Sequence, residues 1–113
     1  MKKPMLLTTI FVIMAYISNA SSFSESGMSE MEWDIDRQGS DIDKDGFDLP
    51  TSDPTLCQEA CYGEPKCSSW AYVKPNTVKG PRPKCFLKDA VPEAKPNPAC
   101  VSGRKLSVVE LKP

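Results

Sequence analysis

The chain has 113 residues, with 14 Lys and Arg against 15 Asp and Glu, five cysteines and no histidine. A near-neutral balance without a long basic run cannot track a phosphate backbone, which excludes nucleic acid as an expected partner. Lacking histidine, the chain has no usual general base and no Ser-His or Cys-His nucleophile pair, and its length supplies one domain.

The first twenty residues read as a secretory leader. Lys2 and Lys3 give a positive start, Met5 to Ile17 is apolar, and Ser18-Asn19-Ala20 offers small residues for a signal peptidase. The apolar stretch is shorter than the roughly 20 residues a bilayer-crossing helix needs, so no membrane span is expected in the mature chain. Without residues 1–20, 93 residues remain, with 12 basic and 15 acidic groups. The expected location is secreted or periplasmic. Ser21 to Met31 is serine-rich and aperiodic, a flexible linker (21–31) ahead of a domain at 32–112.

Glu32 to Asp36 alternates polar and apolar, predicting a strand with Trp33 and Ile35 on one face. Arg37 to Ser40 reads as a turn, and Phe47 to Leu49 as a short extended piece halted by Pro50. Asp53 is a candidate N-cap, because its carboxylate can accept from unpaired first-turn amides, and Pro54 suits the first helical position. The helix is predicted over 54–62, with Leu56, Cys57, Ala60 and Cys61 on one stripe and Gly63 as terminator. Cys67 to Val73 predicts a strand with Trp70 and Tyr72 on one face and Ala71 and Val73 on the other. Two aromatics placed so are read as core rather than as a sugar-stacking platform. Lys74 to Lys84 reads as a loop and Cys85 to Lys88 as a strand. Three prolines exclude Asp89 to Ala99 from helix and central strand, and Leu106 to Leu111 reads as the closing strand. Strand, helix, then antiparallel strands make an α+β domain.

Four cysteines lie close together behind an export leader, the setting in which disulfides replace part of a small core. Cys57 and Cys61 are one helical turn apart and project from one face. Cys67 can fold back to Cys61, and Cys85 can reach Cys57 and tie helix to sheet. In the loop-entropy relation these links contribute about 2.4 and about 3.5 kcal/mol respectively. Cys100 is left over as a partly buried free thiol, an intermolecular bridge, or the partner of one of the four. A zinc site on the same four thiols is disfavoured by their spacing and by oxidising surroundings.

The runs Cys57-Gln-Glu-Ala-Cys61, Cys67-Ser-Ser-Trp-Ala-Tyr-Val73, Cys85-Phe-Leu-Lys88 and Val101-Ser-Gly103 resemble the PAN/apple domain family. Asp36-Arg-Gln-Gly-Ser-Asp41 is similar to the turn opening its bacterial-type members, and the likeness runs from about Glu32 to Lys105. The resemblance implies a curved antiparallel sheet of about five strands cradling one helix, with the two helix-anchored disulfides. In that family the fold mediates adhesion to proteins or carbohydrates and is not itself catalytic. Most members are modules of larger proteins, whereas this chain is expected to be a secreted, single-domain member. Two departures stand out: no cysteine pair staples the two ends of the domain, and Asp43-Lys-Asp-Gly46 resembles an insertion.

Asp41, Asp43 and Asp45 match the first half of a calcium-binding EF-hand loop, but the twelfth position falls on Ser52 where a bidentate Glu belongs. A solvated acidic turn is preferred, and no metal or cofactor is expected. Ligand contacts are sought at Arg37, at Arg82 with its Lys79–Lys84 loop, and at Lys88 and Arg104. The resulting expectation is a non-enzymatic binding module, monomeric, for an unidentified protein or glycan. The rivals are an envelope or assembly component linked through Cys100 and a secreted effector or inhibitor.

Overall fold

The computed structural model describes residues 27–107. The leader and residues 108–111 of the expected closing strand lie outside that range. Within it are five strands and one helix: β1 (Glu32–Asp36), β2 (Phe47–Asp48), α1 (Pro54–Gly63), β3 (Ser69–Val73), β4 (Lys84–Lys88) and β5 (Lys95–Arg104). The strands form one antiparallel sheet in the order β1-β5-β3-β4-β2. The domain is therefore α+β, a five-stranded sheet carrying a single helix.

The helix starts where its cap chemistry places it. Asp53 Oδ1 accepts from the Thr55 amide at 2.9 Å, and Pro54 follows at the first position, where no donor is required. At the far end the Glu64 amide donates to the Cys61 carbonyl. One face of the helix buries Cys57, Gln58 and Cys61. Two disulfides fix that face: Cys57–Cys85 ties it to β4, and Cys61–Cys67 ties its last turn to the segment entering β3.

Strand register sorts the sheet into two faces. Trp70 lies opposite Leu87 and Gly103, and Tyr72 opposite Cys85 and Val101, so these side chains share the helix side. They form the main core with the disulfide sulfurs, Met28 and Leu49. Trp70 is the largest fully buried side chain, and it fits because residue 103 is glycine. A Cβ there would sit 2.6 Å from the indole ring. Trp70 and Tyr72 are thus core, as the alternation predicts.

Three expectations need correction. Trp33 and Ile35 do not share a regular face. Asp34 takes a left-handed φ of 61°, the register slips between Trp33 and Ile35, and Trp33 is left 60% exposed. The proline-rich stretch before Cys100 is strand after all, since β5 begins at Lys95. β3 pairs with β5 only from Cys100 onward, so Pro96 and Pro98 occupy a locally one-sided part of the ladder, where a missing amide is tolerated. Among the described residues the last strand ends at Arg104, and Leu106 and Ser107 are not strand. In addition, Met28 is buried and bridges Lys105, and Ser29 donates its amide to the Arg104 carbonyl. The end of the serine-rich segment therefore packs on the sheet rather than tethering it.

Gly103→Ala is expected to destabilise the fold by about 1–3 kcal/mol, because the added methyl collides with the buried indole. Gly63→Ala, in open space at the helix end, is expected to cost nothing measurable. Urea denaturation of both variants checks the contrast.

Candidate functional site

Among the described residues the opposite sheet face carries no helix. Ala71 lies opposite Phe86 and Ser102, and Val73 opposite Lys84 and Cys100. Val73, Phe86 and Cys100 make a second apolar cluster, with Ala99 packed against it. Above this floor is a cavity of about 610 Å³, within the usual range for small-ligand pockets of roughly 300–1,000 Å³.

Two loops wall the cavity. On one side is the connection from β1 to β2, which includes the acidic run. Gly46 turns with φ 63° so close over β4 that a Cβ would lie 2.8 Å from the Cys85 carbonyl and from the Phe86 ring. The turn is closed by Asp43, whose carboxylate accepts from the Asp45 amide and whose carbonyl accepts from the Gly46 amide. Asp41 points elsewhere. Its Oδ1 receives the Lys88 ammonium at 2.5 Å, and Lys88 also donates to the Gly39 carbonyl at 3.1 Å. The three aspartates therefore do not converge. Among the described residues no group of three or more His, Cys, Asp or Glu side chains is placed to hold a metal ion.

On the other side is a tight hairpin in which Thr77 and Gly80 exchange both backbone hydrogen bonds. At its tip Val78 is fully exposed, and Lys79 places its ammonium 5.4 Å from the centre of the Phe86 ring. Both residues line the cavity, as does Asp36 from the end of β1.

The four residues proposed for ligand contact are not brought together. Lys88 lines the cavity. Arg37 is committed elsewhere: its guanidinium forks onto Glu32 at 2.9 Å twice and donates to the Pro92 carbonyl at 2.6 Å. The Glu32 hydrogen bonds hold its pKa above the ordinary value despite partial burial. Arg82 is exposed near Asp48, whose carboxyl is held low chiefly by its hydrogen bond to Lys84. Arg104 closes the sheet beside Ser29. The sequence reading missed Asp36, Val78 and Asn97, whose only signal is flanking position in loops and strand ends.

Cys100 is unpaired, 3% exposed and part of the cavity floor. Burial pushes its thiol up to about 11, with the nearby Asp36 carboxylate adding to the effect. At neutral pH it is a protonated, weakly reactive group rather than a nucleophile. Lys88, which lines the same cavity, is paired with Asp41.

A family model described as a PAN domain matches residues 35–88, a span that contains α1 and both disulfides and stops before β5. PAN domains are a type of protein- or carbohydrate-binding module, generally non-catalytic. No curated protein matches the chain. The two disulfides fit an extracytoplasmic protein. No helix among the described residues is long and apolar enough to cross a membrane.

The raised Cys100 pKa has a pH consequence. Its contribution to stability is fully present below about 9, the ordinary thiol value, and is lost as pH rises through about 11. Iodoacetamide at pH 8 is expected to leave the native protein unlabelled and to modify one thiol after denaturation without reductant. Rapid labelling of the native chain would contradict the burial and protonation of this thiol.

Proposed function

We propose that the chain is a non-catalytic, extracytoplasmic binding module that takes a protein or glycan ligand in the groove on the helix-free sheet face. One observation carries this reading: an apolar floor of Val73, Phe86 and Ala99 lies under a cavity walled by two loops, while the helix and both disulfides occupy the other face. Concave sites with an apolar lining and a few polar groups are where ligands bind. The disulfides hold the floor rigid, so little ordering entropy is lost when a ligand enters. An apolar leader ahead of Ser21 supports delivery outside the cytoplasm.

Burial of Cys100 favours a self-contained module over a component crosslinked through that residue. The test pairs a glycan array and a pull-down, each run with the full chain and with Ala99→Trp, which fills the groove from its floor. A specific ligand retained by the parent and lost by the variant is the expected result. A ligand bound equally by both, or no ligand at all, would contradict the groove as the binding surface.

A further inference from the structure

We infer that the groove recognises an acidic sugar, a ring bearing a carboxylate beside free hydroxyls. This rests on the groove being the binding surface, and deepens that reading by naming the ligand's chemistry.

The first support is an unfilled donor at the cavity floor. An ammonium has three hydrogen-bond donors. Lys88 uses one on Asp41 and one on Gly39, its side chain is only 4% exposed, and the third donor has no acceptor among the described residues. Buried donors seek a partner, and the space beside this one is the cavity. Above the same Phe86 ring lies the Lys79 ammonium, which has no carboxylate in ion-pair range among the described residues. Two ammonium groups therefore overlook one ring, and Asp41 compensates only the deeper one. Either ammonium can donate to a carboxylate oxygen in the cavity, Lys79 without a competing counterion.

The second support is that the groove is not simply cationic. Asp36 also lines it and has no side-chain partner among the described residues. A bare anion would meet that carboxylate with nothing to donate. A sugar acid brings hydroxyl donors for Asp36 next to a carboxylate for Lys79 and Lys88. Asn97 contributes in the same sense. Its Oδ1 is taken by the Ala99 amide at 2.9 Å, which leaves its NH₂ group to donate to a hydroxyl oxygen. Val73 and Ala99 supply an apolar surface against which the C–H face of a sugar ring can lie. A glutamate side chain provides the carboxylate without the hydroxyls, so an acidic peptide is the poorer match.

The experiment titrates the full chain with glucuronate, glucose and tetraglutamate, following backbone amides by two-dimensional NMR. Glucuronate is expected to shift Val73, Phe86 and Ala99, with glucose about tenfold weaker because it lacks the charge-assisted bonds. Lys79→Ala, at an exposed tip that the fold does not need, is expected to weaken glucuronate about tenfold and leave glucose unchanged. Lys88→Met would strand Asp41 and could unfold the loop, so Lys79→Ala carries the decision. Equal binding of glucose and glucuronate, or glucuronate binding indifferent to Lys79→Ala, would overturn the inference. Equal or stronger shifts with tetraglutamate would overturn the sugar assignment. If glucuronate shifts nothing while another ligand is lost in Ala99→Trp, the acidic-sugar inference falls and the groove reading stands.

Discussion

Everything in this domain follows from the attachment of a ten-residue helix to one face of a sheet through its own cysteines. A helix this short has little intrinsic stability, and its remaining apolar stripe is thin. Cys57 and Cys61, one turn apart, give it two covalent anchors on the same face. One reaches β4 and the other reaches the entrance to β3, each with Cα atoms 5.3 Å apart. In the loop-entropy picture the longer link contributes about 3.5 kcal/mol, a large share of the roughly 5–15 kcal/mol that holds most domains together. The core then closes around the sulfurs, with Trp70 seated against Gly103 and Tyr72 and Val101 beside it.

Putting the helix on one side leaves the other side to loops. The β1–β2 connection is held down by Lys88, which reaches from the sheet to Asp41 and Gly39, and by Gly46, which approaches Phe86 more closely than any larger residue could. A mostly buried ion pair is weak evidence of net stability, since desolvation offsets much of the attraction. Its effect here is positional. It fixes the wall of the cavity and keeps an ammonium group at the floor. The aspartates that resemble half of a calcium loop are used in this way, Asp41 as a counterion and Asp43 as a turn cap. The same face seals Cys100 as a protonated thiol, so the floor is chemically quiet.

Much of the scaffold was legible because local rules and tertiary structure agree. Asp53-Pro54 specifies a helix start, Cys57 and Cys61 specify its buried face, and the alternation of Trp70, Ala71, Tyr72 and Val73 assigns the two faces of β3. Where local rules failed, a long-range partner decided. Pro96 and Pro98 argue against strand, yet β1 needs a neighbour on only one side of them. Trp33 follows a strand alternation that the left-handed Asp34 interrupts, and no residue type in the sequence announces that bulge. The site was far less visible. Charge alone nominated Arg37, Arg82 and Arg104, but a guanidinium draws its role from what lies across the fold, and Glu32 with Pro92 had already claimed Arg37. Asp36, Val78 and Asn97 become neighbours only when β1, the hairpin and β5 are brought together, which no spacing along the chain reveals.

The account stands on which sulfurs are joined, because that fixes the face the helix covers and the face left to the two loops. Proteolysis of the unreduced protein at acidic pH, followed by mass spectrometry of the linked peptides, reads this directly. Peptides joining Cys57 to Cys85 and Cys61 to Cys67, with Cys100 recovered as a thiol, are the expected result. Cys100 recovered in a bridge to any of the other four would contradict both the clamp and the groove it leaves open.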